Sequence, residues 1–128
     1  MLREILFRGK CKNDNKWLYG FPYVTRKNAV KINWYSSEFG SMRTDEVDPE
    51  TVGQYTGLRD KSGRKIFEGD IVDYISSDVI GNPKTGTIIV EDMTDYDTMI
   101  YLNHSDELQI IGNIHDNPEI LKGGEDNG

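Results

Sequence analysis

The sequence holds one cysteine, Cys11, and no apolar run long enough to span a bilayer or to form the core of a secretory signal. A lone thiol makes no internal bridge, so disulfide-stapled scaffolds are excluded and a reducing cytoplasm is the expected compartment. Lys10 and Lys12 flank Cys11 and would favour its thiolate, but no second cysteine or nearby histidine supports a reactive role. Histidine is almost as scarce. Of the two, His104 and His115, neither has partners at metal-ligand spacing beyond His104-Ser105-Asp106, whereas zinc requires three or four ligands.

Other chemistries fail on spacing. Gly81-Asn82-Pro83-Lys84-Thr85-Gly86-Thr87 has threonine where a phosphate-binding loop needs lysine, and a strand pattern where it needs a helix. Glu91, Asp92, Asp95 and Asp97 lack the glycine and closing glutamate of a calcium loop, so they read as a solvated loop. Glu68 and Asp70 would form a carboxylate pair only if the strand ran straight through Gly69, and Asp70 better suits a turn, where it accepts backbone N–H groups. No catalytic residue, metal or cofactor is expected.

What is present is charge, unevenly placed. The total is −7, yet Met1 to Lys31 holds eight basic residues against Glu4 and Asp14, a local +6 that leaves −13 for the remainder. The basic third therefore either lies against acidic surface of its own fold or of a second copy, or meets an acidic partner.

The hydrophobic pattern has the period of strands. Trp17, Tyr19, Phe21 and Tyr23 alternate, which puts all four rings on one face, and Pro22 marks an edge or a bend. Val30, Ile32 and Trp34 alternate with Lys31, Asn33 and Tyr35, so Arg26-Lys27-Asn28 becomes the turn of a hairpin. A polar stretch follows. Asp48-Pro49-Glu50 carries the cap, proline and acid of a short helical start, repeated at Asn117-Pro118-Glu119. Between them, strands are expected from Gln54 to Leu58, from Lys65 and on through a bend at Gly69 to Val72, from Gly86 to Val90, from Thr98 to Leu102 and from Glu107 to His115. Asp60-Lys61-Ser62-Gly63 is the turn of the first pair.

Three blocks in order carry a family likeness. They are Phe7-Arg8-Gly9-Lys10 with Lys16-Trp17-Leu18-Tyr19-Gly20; Val47 to Leu58 continuing through Asp60-Lys61-Ser62-Gly63 to Ile66-Phe67-Glu68-Gly69-Asp70-Ile71-Val72; and Ile111 to Leu121. In these the chain resembles the YopX family of phage and prophage proteins. The resemblance implies a mainly β fold with an SH3-like barrel or roll core in a Gram-positive host, to which the residue pattern adds an N-terminal β-hairpin region and one or two short helical turns; the resemblance implies no reaction and no site residues. The expected division is one domain over 1–121, with an N-terminal β region at 1–46, the SH3-like barrel core at 47–121 and a disordered tail at 122–128.

A non-catalytic binding or assembly module, meeting a phage or host protein or forming a homo-oligomer, is the leading functional expectation. Trp17 and Trp34 are candidate anchors, with core packing the simpler account of each ring. The alternative is nucleic-acid contact through Arg8, Lys10, Lys16, Trp17, Tyr19 and Trp34, together with Arg59, Lys61, Arg64 and Lys65. A hydrolase is the least supported reading, and no membrane contact is expected.

Overall fold

The computed structural model describes residues 4–91, 102 and 105–120, and it is mainly β. Among the described residues nine strands are present: β1 (Phe7–Lys10), β2 (Trp17–Val24), β3 (Val30–Ser36), β4 (Ser41–Val47), β5 (Gly53–Arg59), β6 (Lys65–Phe67), β7 (Asp70–Ser77), β8 (Pro83–Ile89) and β9 (Glu107–Asn113). The chain divides into two compact units, Met1–Tyr55 and Thr56–Gly128. Strand β5 runs through the division.

In the first unit, β1 to β4 form an antiparallel meander whose hydrogen-bonded order is β4-β3-β2-β1-β5. The turn between β2 and β3 closes where Thr25 N–H donates to Ala29 O (2.8 Å), with Asn28 at φ 65°. The sheet also rolls. Lys12 N–H donates to Glu46 O (3.0 Å), Asp48 N–H donates to Lys10 O (2.9 Å), and Cys11 bridges Val47, so the end of the first strand is tied to the end of the fourth. The inside of the roll holds Cys11, Leu18, Ile32 and Val47, with Val30, Trp34 and Val52 packed against them. Among the described residues the roll does not close as a regular barrel.

Asp48 caps a single 3₁₀ turn, Pro49–Thr51, by accepting from Glu50 N–H (3.1 Å). Thr51 anchors it: its buried Oγ1 accepts from Lys10 N–H (2.8 Å) and donates to Asp48 O (2.7 Å).

The second unit has a three-stranded antiparallel sheet, β8-β7-β9, and the hairpin of late β5 with β6. Ile66, Val72, Val90, Leu102 and Leu108 are its core, supported by Leu58, Tyr74 and Ile110. Gly69 sits at φ 95° in the turn between β6 and β7, a left-handed conformation that a side chain would strain. There Asp70, 2% exposed, accepts from Phe67 N–H (2.8 Å). The carboxylate serves the turn, as its position suggested. Opposite β9, the register shifts between Ile71 and Val72, and both side chains are fully buried. Strand β9 ends at Asn113, two residues before the expected His115. Residues 118–120 are helical, but Asn117 Oδ1 accepts from Asn113 N–H (3.2 Å), so this side chain ties the turn to β9. The strand expected over Thr98 to Leu102 lies outside the described residues except for buried Leu102, which stands in none of the nine strands; the tail at 122–128 also lies outside them.

Candidate binding face

Because β2 alternates, one set of its side chains enters the roll and the other leaves it. Leu18 and Gly20 are buried, whereas Tyr19, Phe21 and Tyr23 are 49%, 54% and 42% exposed. The four aromatic residues thus share a face as their spacing predicts, and that face is outward. The register decides this: Gly20 pairs with Trp34, whose ring belongs to the core side, so the residues on either side of Gly20 must point away. Gly20 is required there, since a Cβ would stand 1.9 Å from the carbonyl oxygen of Asn33.

Directly paired residues project to the same side, so the register also gives the row its neighbours. On β1, Lys10 lies opposite Trp17 and Arg8 opposite Tyr19. On β3, Asn33 lies opposite Phe21 and Lys31 opposite Tyr23, and β4 brings Thr44 and Glu46 opposite those two. Tyr35 and Met42, paired and about 60% exposed (62% and 59%), extend the apolar surface. Arg8 is only 6% exposed; its guanidinium lies 4.5 Å from the centre of the Trp17 ring and holds that ring from the side of β1. Lys12 Nζ is 2.8 Å from Glu46 Oε2, and their hydrogen bond and mutual charge raise the lysine pKa and lower that of the glutamate. Beyond Phe7↔Gly20 the pairing with β1 stops, so β2 is central over Trp17–Gly20 and one-sided from Phe21 onward. Pro22 stands in the one-sided half, where a missing N–H is tolerated.

The other residues singled out in the sequence are distributed differently. Trp34 packs against the core and donates from Nε1 to Asp45 Oδ2 (2.8 Å), which is the core account of that ring. Lys16 is exposed beside Trp17, its N–H donating to Asp14 Oδ1 (3.0 Å). Arg59, Lys61, Arg64 and Lys65 belong to the second unit, around the turn of β5 with β6. Arg59 Nη1 donates to Gly63 O (2.8 Å), Lys61 Nζ stands 3.8 Å from Glu107 Oε2, and Arg64 Nη2 donates to Ile110 O (2.8 Å).

Their organiser is Asp60, 5% exposed, which the sequence marked only as a turn residue. Its Oδ1 accepts from Ser62 N–H and Arg64 N–H (both 2.9 Å), and its Oδ2 accepts from Ile110 N–H (3.2 Å), Arg64 Nε (3.2 Å) and Gln109 Nε2 (3.4 Å). Burial alone would raise its pKa, but the backbone donors of Arg64, Ile110 and Ser62 and the Arg64 charge outweigh it and hold the carboxyl below its usual range.

A groove of about 400 Å³ in the second unit is lined by Lys61, Asp73, Tyr74, Gly86 and Glu107, among others. Its charged groups have partners, Lys61 with Glu107 and Asp73 Oδ1 with Thr87 Oγ1 (2.7 Å). Among the described residues no three His, Cys, Asp or Glu side chains are gathered to hold a metal ion, and no helix is long and apolar enough to cross a membrane. Asp92, Asp95, Asp97 and His104 lie outside the described residues; His115 lies in the turn after β9, its N–H donating to Asn113 Oδ1 (3.0 Å). Cys11 is 4% exposed inside the roll, which removes the case for a reactive thiol.

The fold and this face define an all-β protein of antiparallel sheets with an aromatic outer surface on its N-terminal roll. It belongs to the YopX family, whose model, described as YopX protein, matches residues 6–122. No curated protein matches the chain. The crystal structure of protein EF1440 from Enterococcus faecalis is similar over 94% of this chain and 99% of its own, at 23% identity and a TM-score of 0.46.

Proposed function

We propose that this protein is a non-catalytic binding module of a phage or prophage, working in the host cytoplasm, and that its contact surface is the outward face of β2 with the flanking residues of β1 and β3. The carrying observation is the row Tyr19, Phe21 and Tyr23, each at least 42% exposed on a sheet whose other face is already the core. Aromatic side chains in contiguous exposed patches are where soluble proteins concentrate interaction energy. A partner that covers the row recovers the apolar area the fold leaves in water.

The test compares tagged wild type with the double variant Phe21→Ala/Tyr23→Ala, each used to capture material from host cells carrying the phage or prophage, with and without nuclease. A component retained by wild type and lost by the variant is expected. Identical recovery by both proteins would refute the assignment of this face.

A further inference from the structure

We propose that the occupant of this face is a single-stranded nucleic acid, with bases lying on Tyr19, Phe21 and Tyr23 and the backbone passing from Lys10, opposite Trp17, to Lys31, opposite Tyr23. The inference rests on the reading of the β2 face as the binding surface and names its partner. Three features of the face favour this polymer.

The first is spacing. Side chains on one face of a strand recur about every 6.8 Å, so three successive rings form a ladder about 14 Å long. That step is about twice the 3.4 Å rise of stacked bases in a duplex. A strand must be unstacked to lay one base on each ring, which a free single strand does readily and a duplex does not. Aromatic platforms accept any base, because every base has a π-face.

The second is charge. Lys10 stands one strand away opposite Trp17, just before the row, and Lys31 one strand away on the other side opposite Tyr23, at its far end, each about 4.8 Å across the sheet. Glu46, directly opposite Lys31, is the acid among the outward residues of β3 and β4 beside the row; Lys12 holds it at 2.8 Å and the Lys31 charge also acts on it, so two lysines face this one carboxylate. A polyanion laid along the row therefore meets a cation near each end even though the whole chain carries −7.

The third concerns the competing occupant, a second copy of the chain. A two-fold pairing uses the same patch twice and brings the lysines of both copies together around the shared aromatic row. Like charges facing across a buried interface oppose that arrangement. Asn33, opposite Phe21 and bonded to Thr44 Oγ1, adds a polar group that suits base edges more than an apolar dimer seam.

The experiment is fluorescence anisotropy of labelled single strands of about 12 nucleotides, within the usual 4–16 nucleotide site size, titrated with the full chain at low salt. Binding is expected to single-stranded DNA or RNA, with a duplex of the same length failing to compete. Each of Phe21→Ala and Tyr23→Ala should weaken binding about 5- to 150-fold, as loss of one stacking platform does. Phe21→Tyr should restore it. Wild-type affinity should fall with salt at a log–log slope near −1.5 to −2, from about 0.7 for each of two or three phosphate contacts, and Lys31→Gln should flatten that slope by about 0.7. Unchanged thermal melts establish that the exposed substitutions leave the fold intact.

Absent binding to any single strand, or equal binding by wild type and the alanine variants, overturns the inference. Light scattering on the same samples separates it from the reading beneath it. If wild type is an oligomer and Phe21→Ala/Tyr23→Ala a monomer, with no oligonucleotide bound, the face belongs to a second copy and only the nucleic-acid partner is lost. If neither mass nor binding nor capture changes, both are lost.

Discussion

Replacing Asp60 by asparagine tests whether one carboxylate organises the second unit. The change keeps the shape and removes one acceptor. Oδ1 receives two backbone N–H groups, from Ser62 and Arg64, while Oδ2 receives Ile110 N–H and the side chains of Arg64 and Gln109. An asparagine amide presents oxygen to one set and an NH₂ group to the other, so in either orientation at least one backbone donor faces a donor. A stranded buried donor costs about 1–3 kcal/mol, and the lost charge on the Arg64 contacts adds a smaller amount because that guanidinium is half exposed. The expected loss is about 2–4 kcal/mol, a large part of the roughly 5–15 kcal/mol available to a domain. The sign with pH follows from the depressed carboxyl: the Asp60 contribution is complete above the unfolded pKa near 3.9 and is lost as pH falls through the lower folded value. The difference between wild type and variant should therefore shrink on acidification. Urea unfolding followed by circular dichroism, with amide exchange at Arg64 and Ile110, reads the second unit directly, where neither tryptophan lies. A variant within about 0.5 kcal/mol of wild type at neutral pH, the scatter of ordinary surface substitutions, would refute the reasoning.

Two further changes probe the roll of the first unit. Gly20→Ala places a methyl group 1.9 Å from the Asn33 carbonyl, so β2 and β3 must separate; a loss of about 3 kcal/mol or more, or failure to fold, is expected in thermal melts, and a melting temperature equal to wild type would contradict the register. Thr51→Val keeps volume but removes the acceptor for Lys10 N–H and the donor to Asp48 O; unfolding of the tryptophan-reported unit should shift by about 1–3 kcal/mol, and no shift would mean that water replaces the hydroxyl at no cost.

The sequence was most legible where side chains alternate strongly. Val30, Ile32 and Trp34 declared their face, and Gly69 and Asp70 declared their turn. Strand β4 has the composition of a polar stretch because it pairs on one side with β3 and buries little until Val47; seven backbone pairs hold it, and backbone pairing leaves no mark on residue type. Strand β1 shows in the sequence only as a motif, since four residues are too few for a period to show. The aromatic row was seen, but alternation alone does not say which of two faces is inside. That depends on the register with β3, which the turn over Thr25 to Ala29 sets. The organising role of Asp60 does not show in the sequence because its partner Ile110 is 50 residues away, and no local pattern encodes such a contact.

Cys11 has a practical consequence that follows from its place inside the roll. With the one sulfhydryl shut away beside Ile32 and Val47, storage in air should not join molecules through sulfur, and an alkylating reagent can reach it only when the first unit opens. The native chain thus carries its own timer for that opening.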